Sequence, residues 1–88
     1  MNVEFKASFA KDLRKVRDER LKERVRETIE QVEQAGSLQE ITNMKKLKGE
    51  TGYYRVRVGD HRLGLSVEGD IVTFVRFLHR KDMYRYFP

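Results

Sequence analysis

The chain has 88 residues and a mass of 10.5 kDa, and a second hydrophobic core would need roughly 50 residues of its own, so residues 1–88 are read as a single small domain. It is 39% apolar and 38% charged and contains no cysteine, which excludes a disulfide framework, thiolate metal sites and Cys nucleophiles while leaving enough apolar residues to fold. Nineteen Lys and Arg against fourteen Asp and Glu give a net charge of +5, a lean toward a polyanionic partner, and residues 36–88 hold the surplus with ten basic and six acidic side chains.

The chain opens Met-Asn-Val-Glu-Phe-Lys, which lacks the basic and apolar stretches of a secretion signal, and no later run approaches the roughly 20 apolar residues of a membrane span. A cytoplasmic protein with no membrane partner is the expectation. Val3 and Phe5 alternate with Glu4 and Lys6, predicting a short strand that leads directly into a helix with Ser8 as its N-cap. Phe9, Leu13 and Val16 form one stripe of that helix, with Lys11, Asp12, Arg14, Lys15 and Arg17 turned away. In a second helix Leu21, Val25, Ile29 and Val32 mark the apolar face, and Gly36 supplies the stop. The charged faces of this helical hairpin read as solvated surface. Residues 37–52 show no sustained period and predict a connection with at most one turn of helix, carrying Lys45, Lys46 and Lys48. From Gly52 onward the period becomes two, and the turn signals Gly59-Asp60 and Gly69-Asp70 separate three antiparallel strands at about residues 53–58, 61–68 and 71–78. The fold class is therefore α+β: an N-terminal strand, a two-helix hairpin, then an antiparallel β-meander, with the helices on one face of the sheet.

If Gly59-Asp60 is a two-residue loop, Val58 pairs with His61, Arg57 with Arg62, Arg55 with Gly64 and Tyr54 with Leu65. Tyr54, Val56, Val58, Leu63, Leu65 and Val67 then form the core face. The opposite face shows Tyr53, Arg55, Arg57, Arg62, Gly64 and Ser66, and a regular second loop would add Ile71, Thr73, Val75, Phe77 and His79. Arg57 directly across from Arg62 costs a few tenths to about 1 kcal/mol unless an anion or carboxylate lies between them. Gly64 leaves space for something to approach. The arginines either bind an anion or simply solvate an open sheet face. The following segment, His79-Arg80-Lys81-Asp82-Met83-Tyr84-Arg85, places an imidazole, a guanidinium and a phenol near that face, groups suited to phosphoryl chemistry. His79 is also compatible with ordinary surface, and Tyr84 with a cap on the core. The sequence has no phosphate-binding glycine motif, no paired-carboxylate spacing and only two histidines, so no metal or other cofactor is expected.

Lys46-Leu47-Lys48-Gly49, Tyr54-Arg55-Val56-Arg57-Val58-Gly59-Asp60-His61-Arg62-Leu63 and Leu78-His79-Arg80-Lys81-Asp82-Met83-Tyr84 resemble the RelE/ParE superfamily of toxins of type II toxin-antitoxin systems over nearly the whole chain. The His-Arg-Lys-Asp-x-Tyr ending is similar to its RelE branch. The resemblance implies a ribosome-dependent endoribonuclease, independent of metal, that drives a ribose 2'-hydroxyl onto the adjacent phosphate of translated mRNA and so inhibits translation. On that reading Arg57, Arg62, His79, Arg80 and Tyr84 are the candidate catalytic residues. Arg62 matches the arginine that stabilises the transition state, Arg80 the one assisting the leaving oxygen, and Tyr84 the one that orients the nucleotide. His79, or failing it a neighbour of perturbed pKa, is expected to handle the proton of the 2'-hydroxyl. Lys45, Lys46, Lys48, Arg55, Arg76 and Lys81 are candidate RNA-binding residues. Arg55 and Arg57 stand where the best-known RelE member has lysines, and arginine is too basic for general-base work, so a clamp on phosphate is expected of them. The implied partners are the ribosome with its mRNA and a small, acidic, amphipathic antitoxin, through which the complex would reach operator DNA. The alternatives are a ParE-like, non-enzymatic inhibitor of DNA gyrase and an inactive module that binds its antitoxin for regulation.

Overall fold

The computed structural model describes residues 1–88. Strand β1 (Asn2–Phe5) passes within one residue into helix α1 (Ala7–Arg14), and α2 (Glu19–Gln34) follows. Asp18 fixes the start of α2, because its carboxylate accepts the backbone N–H groups of Arg20 and Leu21 at 3.0 and 3.2 Å, a cap worth about 1 kcal/mol. Ser8 does not cap α1. Lys6 occupies that position without a side-chain bond, and the Ser8 hydroxyl instead donates to the carbonyl of Val75 at 2.6 Å.

Residues 37–52 contain the expected single helical turn, a 3₁₀ turn at Leu38–Glu40, but also a strand that the pattern does not reveal, β2 (Met44–Lys46). Three residues, two of them exposed lysines, show no alternation; β2 exists because β3 offers it an edge. The meander follows as β3 (Tyr53–Val58), β4 (His61–Glu68) and β5 (Ile71–His79), and a third helix, α3 (Arg80–Tyr86), continues directly from it. The sheet order is β1-β5-β4-β3-β2, with β1 parallel to β5 and every other pair antiparallel.

Helices α1 and α2 cover one face of the sheet, where Phe9, Val25 and Val32 pack with Val56, Val58, Leu63, Leu65, Val72, Phe74 and Phe77. Burial of each such side chain contributes about 1.5–3 kcal/mol. Across the sheet, α3 closes a second, smaller cluster of Leu47, Met83 and Phe87, with Tyr53, Val75 and Leu78 against it. Gly64 receives Phe87 there: a Cβ built at residue 64 would lie 2.7–2.9 Å from three atoms of the Phe87 ring. The space left by that glycine is occupied by the chain's own aromatic ring: α1 and α2 share one face as expected, and the unexpected α3 covers part of the other.

The β3–β4 register is the one expected from the Gly59-Asp60 loop, with Arg57 opposite Arg62 and Arg55 opposite Gly64. Between β4 and β5 the ladder slips. Leu65 faces Phe74 but Gly64 faces Arg76, which leaves Val75 as the extra residue of a β-bulge. A bulge reverses the facing of everything beyond it, and α1 supplies the hydrogen bonds the ladder loses there. Ser8 takes the Val75 carbonyl at 2.6 Å, and Asp12, one turn later, accepts the Phe77 N–H at 3.0 Å and a two-point grip from Arg76 at 2.7 and 3.0 Å. Asp12 is accordingly 8% exposed, although its place on the helix pattern assigns it to solvent.

Candidate nucleic-acid interface

The site follows from strand alternation. Arg55 and Arg57 on β3 and Arg62 on β4 project from the face away from α1 and α2, and Lys45 on β2 pairs directly with Arg55. Two like-charge pairs, Lys45–Arg55 and Arg57–Arg62, thus lie side by side, each unfavourable by up to about 1 kcal/mol. None of these cations is neutralised within the protein: its three salt bridges are Lys22–Glu19, Arg26–Glu23 and Arg76–Asp12. Asn43, Lys45, Arg55, Arg57 and Arg62 line a cavity of about 280 Å³ with no apolar residue.

Arg62 is held most firmly. One of its terminal nitrogens donates to the carbonyls of Gly59 and His61 at 3.0 and 2.9 Å, which folds the guanidinium back over the β3–β4 turn, and its Nε is buried without a partner. Burial, followed by the charges of Arg55, Arg57 and Arg80, lowers the Arg62 pKa from its ordinary value, partly offset by Tyr84. A fixed and crowded guanidinium gains much from a bound anion, because the anion relieves the repulsion of Arg55, Arg57 and Arg80.

Helix α3 brings the remaining groups. Its first residue is tied to the β3–β4 turn, as the Arg80 N–H donates to the Asp60 carbonyl at 2.8 Å, and Phe87 on Gly64 holds the other end. Between these anchors Tyr84 is 67% exposed, with the Arg55 guanidinium 5.4 Å from its ring centroid. Tyr84 and Arg55 join Lys45, Lys46, Leu47 and Lys48 around an adjoining cavity of about 460 Å³. The two cavities share Lys45 and Arg55. One is a pure set of donors for phosphate oxygens; the other combines lysines with an exposed aromatic face, the combination that holds single-stranded nucleic acid by charge and stacking.

Three expected site residues stand elsewhere. His79 faces the helix side, opposite the arginines, because the bulge at Val75 reverses the end of β5. It pairs with His61, their rings crossing at 5.4 Å, and His61 stacks on the buried Phe77 at 5.0 Å. Its Nδ1 accepts the Lys81 N–H at 3.2 Å, so His79 serves as the N-cap of α3. Burial and the neighbouring His79 together lower the His61 pKa below its ordinary value. Phe77, expected on the arginine face, is 3% exposed in the main core for the same reason. Arg76 is committed to Asp12 on α1; Lys81 is exposed and lines neither cavity, and Arg80, exposed as well, also lines neither but lies near enough for its charge to act on Arg62. The largest cavity, about 610 Å³, lies on this other side, between the α1–α2 turn and His61, Phe77 and His79; its mixed charges make it a poor match for a polyanion. Asn43 and the Gly64–Phe87 contact are not singled out by the pattern, although the former stands two residues before Lys45 and the latter's glycine faces Arg55.

Comparison with known proteins finds relatives of the whole chain. Residues 3–84 match the family model described as the ParE toxin of the type II toxin-antitoxin system parDE. The chain is 43% identical over 89 residues to Toxin RelE3 of Methanocaldococcus jannaschii, covering 100% of both proteins. A chain of the RelB–RelE antitoxin–toxin complex from Methanococcus jannaschii superposes with a TM-score of 0.82 at 41% identity, over 97% of this chain and 99% of that one. A chain of the archaeal RelE–RelB complex from Pyrococcus horikoshii OT3 shares the fold, with a TM-score of 0.73 at 23% identity over 90% and 93% of the two chains.

Proposed function

The chain belongs to the RelE/ParE family of type II toxins, and from that premise we propose that it is a ribosome-dependent endoribonuclease that needs no metal and cleaves translated mRNA in the cytoplasm. The observation that carries the reading is the un-neutralised set Lys45, Arg55, Arg57 and Arg62 on one sheet face beside the exposed ring of Tyr84. In the proposed step the ribose 2'-oxygen attacks the adjacent phosphorus, the P–O5' bond breaks, and the products are a 2',3'-cyclic phosphate and a 5'-hydroxyl. Solvent base takes the 2'-hydroxyl proton, because the guanidinium and ammonium groups on this face cannot accept one, and water supplies a proton to the departing 5'-oxygen. Arg57 and Arg62 hold the non-bridging oxygens and stabilise the charge that builds on the pentacoordinate phosphorus. Arg80, close enough to depress the Arg62 pKa, assists the leaving oxygen, and Tyr84 stacks on a neighbouring base with Lys45, Lys46, Lys48 and Arg55 along the backbone. His79, on the opposite face, has no part in this step.

The partner that restrains such a toxin is an antitoxin, as in the RelB–RelE complexes of the archaeal relatives. For this chain an acidic, amphipathic segment meets the +5 charge and covers the exposed apolar side chains Phe5 and Ile71 along the β1–β5 edge. The complex would reach operator DNA through that antitoxin.

The test is induced expression with mapping of mRNA 5' ends, comparing wild type with Arg62→Ala. Loss of one preorganised oxyanion donor typically costs about 10²–10³ in rate, so the in-frame cuts made by wild type should fall by about that factor in the variant. Intact transcripts in cells arrested by the wild-type protein would refute the reading. A second reading, non-enzymatic inhibition of DNA gyrase, is supported by the ParE description of the matching family model and by the separation of His79 from the arginines; loss of supercoiling with intact mRNA would select it.

A further inference from the structure

The cavity around Arg62 contains four cations and one neutral residue, Asn43. Lysine and arginine side chains are donors only. Four of the five residues can therefore grip phosphate oxygens but cannot receive a hydrogen bond from a hydroxyl group. Asn43 provides the one side-chain acceptor in the cavity, and its amide makes no hydrogen bond to any other protein group, whereas its backbone carbonyl accepts the Arg57 N–H at 3.1 Å. That backbone bond ties residue 43 to the strand that carries Arg55 and Arg57. Asn43 also has φ +60°, in the left-handed region that only glycine and asparagine occupy at low cost. Glycine would satisfy that backbone equally well, so the conformation alone does not account for an amide at this point.

We propose that Asn43 is the ribose-recognising residue of the site: its Oδ1 accepts a hydrogen bond from the 2'-hydroxyl of the nucleotide whose phosphate the arginines hold. The inference rests on the nuclease reading and refines it. Phosphate and stacking contacts do not distinguish RNA from DNA, since both polymers present the same oxyanions and base faces; the 2'-hydroxyl is what distinguishes them. A neutral amide is no general base, so the role of Asn43 is to select the sugar and to orient the nucleophilic oxygen toward phosphorus. Small losses of orientation in such a step can cost about 10²-fold in rate.

The experiment uses the full chain, wild type and Asn43→Gly, which preserves the backbone and deletes only the amide. Affinity for a fluorescent single-stranded RNA oligonucleotide and for the DNA oligonucleotide of matching sequence is measured by anisotropy at low salt. Wild type should prefer RNA by about fivefold to tenfold, the worth of one hydrogen bond. The variant should bind DNA as wild type does but lose the preference. In a translating extract the variant should also show a lower kcat for mRNA cleavage, with KM rising by no more than the roughly fivefold to tenfold lost in RNA affinity, because the phosphate grip is untouched. An equal preference for RNA in both proteins, or none in wild type, would overturn the role of Asn43. Wild type that cuts mRNA without preferring RNA refutes this inference and leaves the nuclease reading standing. Wild type that prefers RNA through Asn43 yet leaves mRNA intact refutes the nuclease reading instead.

Discussion

Gly64→Ala tests whether the position of α3 is set by a direct seat of Phe87 on the sheet. The added methyl would meet three ring atoms of Phe87 at 2.7–2.9 Å, too close for carbon atoms, and the ring cannot swing aside freely. It is 3% exposed, packed with Leu47 and Met83, and edge-on to Tyr53 with ring centroids 5.7 Å apart. Overpacking of this kind costs about 1–3 kcal/mol. Replacing glycine in unstrained backbone returns about 0.4–1 kcal/mol through the unfolded chain. The net expectation is a loss of about 1–2 kcal/mol, or a fall of roughly 5–15 °C in Tm for a chain of this size. Because the displaced ring anchors the helix carrying Arg80 and Tyr84, mRNA cleavage should fall with it. Phe87→Leu, which removes the ring edge, should then partly rescue Gly64→Ala in both urea denaturation and cleavage, a coupling between the two substitutions of more than about 0.5 kcal/mol. Independent, additive effects of the two changes, or a Gly64→Ala protein as stable as wild type, would refute the seat.

Asp12→Ala should cost about 2–4 kcal/mol by urea denaturation, because it leaves both the Arg76 guanidinium and the Phe77 N–H without their acceptor; a change below about 0.5 kcal/mol would show that α1 does not hold the bulge. His61 makes stability depend on pH. Its pKa is lowered in the fold by burial and by His79, against the opposing charges of Asp60 and Asp18, with Arg62 adding to the lowering, so the unfolded chain takes up the proton first. This contribution is complete above about pH 6.5 and is lost as pH falls through the folded pKa; His61→Phe should flatten the urea midpoint between about pH 7.5 and 5.5, and an unaltered slope would refute the assignment. His79→Asn keeps an acceptor for the Lys81 N–H and should retain cleavage, whereas His79→Ala should lose about 1 kcal/mol of α3 stability; inactivity of the Asn variant at full stability would return the imidazole to the chemistry.

The parts of this molecule that are legible in its sequence are those whose cause is local. The period-two run from Gly52 and the two glycine-aspartate turns set β3 and β4 in register, so the pairing of Arg57 with Arg62 follows from alternation and loop length alone. The apolar stripes of α1 and α2 are legible for the same reason. β2 is not, since a three-residue edge strand is decided by its neighbour β3. Nor is α3, whose apolar anchors Met83 and Phe87 bury themselves on Leu47 and Gly64, residues distant in the chain. Of the site, the cationic face follows from alternation and Tyr84 enters only through the resemblance of the segment 78–84, while Asn43 is not legible, because its place depends on where β2 lies.

His79 shows how far one residue can carry an error in facing. Alternation continued unbroken from Ile71 would put Val75, Phe77 and His79 beside the arginines, and nothing within β5 itself marks an irregularity. The cause lies some sixty residues earlier, in two polar side chains of α1. Ser8 and Asp12, one helical turn apart, face β5 where the apolar stripe alone would predict hydrocarbon, and a buried carboxylate demands a partner. Arg76 and the Phe77 N–H meet that demand only if the strand bulges at Val75. The bulge then turns Phe77 into the main core and sends His79 to the helix side, where His61 already stands opposite Val58, leaving the opposite face with guanidiniums, lysines, a phenol and an amide. A site so composed contains no imidazole and no carboxylate. Its action on a phosphodiester must come from holding and charge stabilisation, with solvent base taking the 2'-hydroxyl proton, so its cleavage rate at saturating substrate should rise by up to about tenfold per pH unit from about pH 6 to 8. A bell-shaped profile centred near about pH 6.5 would show that an imidazole does reach the reacting atoms and that this division of the two faces is wrong.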